Sequence, residues 1–402
     1  MRRTALSIRT ASAATVALAS LVVSTPTSHA QTTDLPDTTT LVEMADRLLQ
    51  RRADAVTTAP QDNLATEPAP MTDAAAGDFA SDLAVLQDNA KGLEKVNGGY
   101  SRAEVTVAPD TASVSGDTAT VKVIEDTRLY FPHPAPDAPA YEGYSIPHTL
   151  TFTRSAQGEW EIAGDRAEVN RSGVLPSTQI TELDDVGPIN EPGPDGEMEP
   201  DGGPEPEPLE GPVTDAPSST SQMAAEAMSQ EAKTMVTASY NYQYMINYAK
   251  KYAYSYNPAY RKYDQDCTNF ISQAMRAGGW KMTSGGILHR KDPDEWFYGS
   301  YTWSTSYAWA GAHNWYWYAI KHSRRTKALD NVWKMYPSDV LQIDFVDRAT
   351  GRPNGIIDHT MIVTAKKNGE LYLTGHTNNV IDKPLTTILY ERRGAWFYAH
   401  RT

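Results

Sequence analysis

Residues 182–217 decide how the rest of the chain can fold. The stretch holds nine prolines, six glycines and 12 acidic residues, with no basic one. It buries too little apolar surface to offset its ordering entropy, and its like charges extend it. Two folded parts joined by an acidic linker, drawn at 182–221, are therefore expected. At roughly 150 residues per domain, 402 residues suit that division. The formal charge of −14 divides the same way. Residues 31–181 carry 11 basic and 23 acidic residues, whereas the chain from Lys233 onward carries 22 basic and 13 acidic ones. Eight of nine Trp and 18 of 22 Tyr also follow residue 233. An acidic half precedes a basic, aromatic one, which excludes a single uniform domain.

The first 30 residues read as an export signal. Arg2 and Arg3 precede an apolar run from Ala11 to Val23, and Ser28-His29-Ala30 offers small residues before a cut at Gln31. The run is too short for a membrane span, which needs roughly 20 residues. A secreted protein without stable membrane insertion is expected. Arg2-Arg3 leaves Sec and twin-arginine export both open. Cys267 is the one cysteine, so neither an intramolecular disulfide nor a zinc site of several thiolates can form.

Within 31–181, Leu41, Met44, Ala45, Leu48 and Leu49 share a helical face. Phe79, Leu83, Leu86 and Leu93 mark a second helix. From Tyr100 the period becomes two, with Val105 and Val107, then Val121 and Val123, then strands at His148–Arg154 and Trp160–Ala163. This predicts a small α+β domain without a catalytic constellation. Its role is unassigned.

The second folded part, 222–402, opens with a helical stretch from Met223 to Tyr254. Tyr240, Tyr244, Tyr248 and Tyr252 fall on one face of it. The densest chemical signal follows. Asp266 suits an N-cap, Phe270, Ile271, Ala274 and Met275 continue a helix, and Gly278-Gly279 ends it. Cys267 then sits in a first helical turn, where unpaired amides stabilise a thiolate and could bind an oxyanion. A buried structural thiol is the competing reading. A base is available in His359, which alternates with Met361 and Val363 on one side of a strand. A Lys367-Asn368-Gly369 turn leads to a second strand ending at His376. Cysteine–histidine catalysis also needs a group to orient the base, and either His376 or Asn378 can fill that place.

These residues resemble a known family. Asn257-Pro258-Ala259-Tyr260, Asp266-Cys267-Thr268-Asn269-Phe270-Ile271-Ser272-Gln273-Ala274, Asp358-His359-Thr360-Met361-Ile362-Val363 and Gly375-His376-Thr377-Asn378 are similar to an amidase domain of secreted bacterial proteins. That domain is similar in outline to the papain-like cell-wall hydrolases of the CHAP and NlpC types. The resemblance covers about residues 236–402. It implies a papain-like α+β fold with Cys267 as nucleophile, His359 as base and His376 orienting it.

Gln265 and Asn378 are weaker candidates for oxyanion or substrate contacts. Asn269 turns away from Cys267 on a regular helix and is expected to be structural. Trp296, Trp303, Trp309, Trp315 and Trp317 could stack on sugars or peptides, though rings so spaced more often fill a core. No His-Glu-x-x-His and no phosphate loop occurs, so no metal or cofactor is expected. The expected partner is peptidoglycan or another anionic cell-wall polymer, because a basic domain outside the cell does not meet nucleic acid. The reading is a secreted cysteine amidase or peptidase. Its rival is an inactive wall-binding module that keeps the fold. Oligomeric state is unassigned.

Overall fold

The computed structural model describes residues 36–58, 68–180, 240–347 and 349–402. The expected export segment 1–30, the expected linker 182–221 and the helical expectation over 223–239 lie outside the described residues. No described helix is long and apolar enough to cross a membrane.

In the acidic half, helices α1 (Pro36–Asp54) and α2 (Asp73–Glu94) precede strands β1 (Arg102–Ser115), β2 (Thr118–Tyr130), β3 (Tyr141–Arg154) and β4 (Trp160–Ala167). Thr72 starts α2 by accepting the Ala75 amide on its hydroxyl. The strands form an antiparallel meander. Alternation along β2 buries Ala119, Val121 and Val123 beneath Leu41, Met44 and Leu48 of α1. The α+β expectation and the strand positions match the described residues.

In the basic half come α3 (Tyr242–Tyr252), α4 (Cys267–Ala277), the short α5 (Tyr307–Ala310) and α6 (Ala312–Tyr316), and β5 (Lys327–Leu329). Then follow β6 (Val340–Asp344), β7 (His359–Lys367), β8 (Glu370–Gly375), β9 (Val380–Pro384), α7 (Leu385–Glu391) and β10 (Trp396–Arg401). Asn368 and Gly369 take φ values of 51° and 87° in the β7–β8 turn, a conformation that the Asn-Gly pair favours.

The described strands form one antiparallel sheet of 10, ordered β1-β2-β3-β9-β8-β7-β6-β10-β5, with β4 also on β3. The two halves therefore share a sheet through Gly143↔Ile381 and Tyr144↔Val380. Gly143 eases this approach, because a Cβ there would lie 3.1 Å from Ile381 Cγ2 of β9 and 2.1 Å from the Tyr254 hydroxyl.

Around β6 and β7 the sheet separates two cores. Val340 and Ile362 face α3, α4 and a cluster containing Trp280, Trp296, Trp309 and Trp315. Leu341, Ile343, Met361 and Val363 face α7 and Val174 from the acidic half. Trp296, Trp309 and Trp315 are thus core residues, as their spacing suggested. Trp303 stands out exposed, stacked on Tyr301. The tyrosine stripe departs from expectation. Tyr240 precedes the helix, Tyr244 is exposed, and Met245, Ile246 and Ala249 form the buried face of α3.

Candidate active site

Asp266, Cys267 and Thr268 open α4, and the first and last of them bond to residues of the β7–β8 region. Asp266 occupies the N-cap position but makes no side-chain cap bond. Its Oδ1 accepts from Tyr263 N (2.9 Å) and Asn269 Nδ2 (2.8 Å). Its Oδ2 meets His376 Nδ1 at 2.6 Å, with both side chains buried. On the other side of the helix, Thr268 Oγ1 bonds Thr360 Oγ1 of β7 at 3.0 Å. Between them in the chain, Cys267 is fully buried, with its Sγ 3.7 Å from Thr268 Oγ1.

His376 is firmly held. Its ring stacks on Phe270 with centroids 3.9 Å apart, and its Nε2 lies 2.6 Å from the Tyr252 carbonyl. The Tyr252 carbonyl can only accept, so Nε2 carries a hydrogen toward it, and Nδ1 shares a hydrogen with the Asp266 carboxyl. This buried histidine–carboxyl pair sits at the start of the cysteine helix. With both nitrogens engaged in this way, His376 does not orient His359, which corrects that assignment.

His359 faces the other way. It pairs with Ile343 and shares that residue's side of the sheet, opposite Thr360 and α4. Phe345 stacks near it, at 6.1 Å between centroids. Burial, helped by the Arg392 charge, pushes its pKa down to about 3, and its Nδ1 is buried without a hydrogen-bond partner. The expected base is thus a neutral imidazole on the sheet face away from the thiol. The alternation of His359 with Met361 and Val363 was legible, but the side of the sheet that α4 would cover was not.

The weaker candidates divide. Asn378 gives its amide to the acidic half: Nδ2 donates to Asn170 O (2.8 Å) and Val174 O (3.1 Å), and Oδ1 accepts from Asn170 N (2.8 Å). It is an interdomain clamp, neither an oxyanion donor nor the orienting group. Gln265 keeps a buried amide oxygen without a partner, two residues before Cys267. Rotation of that amide would put an N–H donor at the same place. Asn269 is structural, fully engaged with Arg261 O, Asp266 and Trp309 Nε1. The Asp266 carboxylate itself was missed as a site residue, because a good N-cap already accounted for it. Among the described residues no cluster of three or more His, Cys, Asp or Glu could hold a metal ion.

Residues 239–399 match the family model described as "Putative amidase domain". The chain is 33% identical over 130 residues to Uncharacterized protein YhbB of Bacillus subtilis, covering 32% of this chain and 38% of that protein. It is 33% identical over 143 residues to Uncharacterized protein YjcM of the same organism, covering 35% and 31%. The chain thus spans about a third of the length of these curated relatives. Among solved structures, the Kfla4162 protein from Kribbella flavida aligns at 17% identity and a TM-score of 0.23, over 33% of this chain and 88% of that one. An Ntf2-like protein involved in plasmid conjugation aligns at 11% and 0.18, over 33% and 49%. At these TM-scores neither likeness bears on the fold.

Proposed function

We propose that the basic half is a papain-like amide hydrolase in which Cys267 is the nucleophile. The observation that carries this reading is the placement of the thiol in the first turn of α4, beside the Asp266–His376 pair, within the stretch that matches the amidase model. Helix-start amides favour a thiolate, and a proton carried by His376 in this mechanism would favour it further. The thiolate attacks the amide carbonyl, and the electron pair moves to oxygen, where the Gln265 amide and the α4 amides can receive it. On collapse the C–N bond breaks. His376 Nε2–H, released from the Tyr252 carbonyl, protonates the departing amine. Water then cleaves the thioester to release the acid, and the proton it gives up returns to His376 as the thiolate is restored. His376 thus replaces His359 as the working imidazole. Peptide of the bacterial cell wall is the substrate we favour, since a secreted basic domain would meet anionic wall polymer.

The test is digestion of purified sacculi, with mass spectrometry of the products. Wild type is expected to release peptide fragments, and Cys267→Ala none. Equal release by both proteins sinks the mechanism. The enclosed thiol and the fully bonded His376 favour a second reading, an inactive wall-binding module. It expects slow alkylation of Cys267 by iodoacetamide with the ordinary pH dependence of a thiol. Fast alkylation near neutral pH excludes it.

A further inference from the structure

Strand β3 leaves part of one edge open. Tyr144 is the last of its residues paired with β9, and His148 the first paired with β4. Between them Ser145, Ile146 and Pro147 pair with β2 alone, although Pro147 O accepts the Glu168 amide at 2.8 Å. This window opens into a cleft of about 740 Å³ between the halves, a size suited to a short peptide. The basic half supplies the opposite wall, through Tyr256, Lys262, Asp264 and residues 377–379.

Two features of that wall are costly unless they serve a ligand. Thr377 is β-branched yet held at φ 81°, and strained backbone of this kind clusters at binding sites. Its Oγ1 is also buried without a hydrogen-bond partner. An open strand edge recognises extended main chain. Lys262 and Arg166 bring a cation from each half, and Lys262 lies over the Tyr256 ring at 4.3 Å. Of the two acids in the lining, Glu168 is already engaged with Thr149 and Lys122 and lies 4.0 Å from the exposed Arg166 guanidinium, which keeps its remaining donors for a ligand; Asp264 is the other.

We propose that this cleft binds an extended peptide bearing carboxylate groups. Ser145, whose backbone groups face the open side of the window, pairs with the peptide's main chain, the Thr377 hydroxyl takes one polar group, and Lys262 and Arg166 take its charge. The proposal deepens the amidase reading and rests on it only in making that peptide the substrate.

Binding is measured apart from cleavage by fluorescence anisotropy, using the full-length Cys267→Ala protein and a fluorescein-labelled Ala-Glu-Ala-Glu peptide. Saturable binding is expected, weakened roughly tenfold or more when Arg166→Glu is combined with Lys262→Glu. Exchanging the peptide's glutamates for glutamines should weaken it similarly. Thr377→Val should also weaken binding without lowering the melting temperature, since it removes an orphaned hydroxyl. Absence of saturable binding by the folded protein, or equal affinity in the charge-reversed protein, overturns the proposal. Binding as expected, without Cys267-dependent hydrolysis of the same peptide by wild type, supports the cleft and counts against the amidase reading.

Discussion

The chemistry at the start of α4 depends on which imidazole serves the thiol. His376 meets two acceptors and stacks on Phe270, while His359 is buried, neutral and on the far face of the sheet. Replacing His376 with Gln should slow alkylation of Cys267 at pH 7 by roughly tenfold or more, because a nearby cation sets the thiolate fraction. His359→Gln should leave that rate within about twofold, since strand alternation points its side chain away from α4. A pH profile of the alkylation rate in both variants is the measurement. The reverse pattern would return the role to His359.

Among the elements, the β2–β3–β4 meander carries a buried ionic cluster that the chain's scattered acids did not suggest. His148 Nε2 lies 2.7 Å from Glu125 Oε2, and its Nδ1 lies 2.8 Å from Asp165 Oδ1. Burial alone would depress this imidazole, but hydrogen bonds and charge from Asp165 and Glu125 prevail and raise its pKa to about 9. His148→Ala would leave Glu125 buried without its cation and Asp165 with Arg52 alone, and should cost about 3–5 kcal/mol in a urea titration. The same ring predicts an alkaline limb. Its stabilising contribution is complete below its unfolded pKa of about 6.5 and is lost as pH rises through 9. On the acid side, burial holds His313 down to about 4 and His400 to about 3, with His359 likewise low. Below about pH 6.5 the unfolded rings take up protons that the folded rings refuse, so stability falls with pH. Burial pushes Asp344 up to about 7 against the pull of the Gly355 and Asn354 amides. Its opposite sign offsets part of that acid loss. Thermal melts across pH 5–10 should therefore peak near pH 6.5 and decline progressively toward pH 9.

For the whole molecule, the acidic half is built into the sheet of the basic half. Lys383 of β9, fully buried, lies 2.7 Å from Glu391 of α7 and 3.4 Å from Glu142 of β3, and donates to Ser177 Oγ at 2.7 Å. Lys383→Ala leaves Glu142 buried without its cation and should cost about 3–5 kcal/mol in the same titration. A fragment of residues 240–402 alone would expose Val380, Lys383 and the α7 core that Val174 completes. It should be insoluble or bind a hydrophobic dye, whereas a soluble, active fragment with a sharp melt would refute this dependence.

Much of this architecture is legible in the amino-acid sequence. Period-two runs in 103–123, the Asn368-Gly369 turn and the Gly278-Gly279 stop locate elements correctly, because each is a local property of a few consecutive side chains. The cysteine helix is legible for the same reason. What the sequence could not supply was pairing between distant segments. A lysine at 383 and a glutamate at 142 look like two surface charges until the strands that carry them come together. The docking of the halves, the side of β7 that α4 covers and the partners of His376 were settled by long-range packing. Local sequence determined which segments are helix or strand and put a thiol at a helix start. Only the tertiary structure decided which imidazole shares its side of the sheet, because that depends on how two layers stack across β7 and β8.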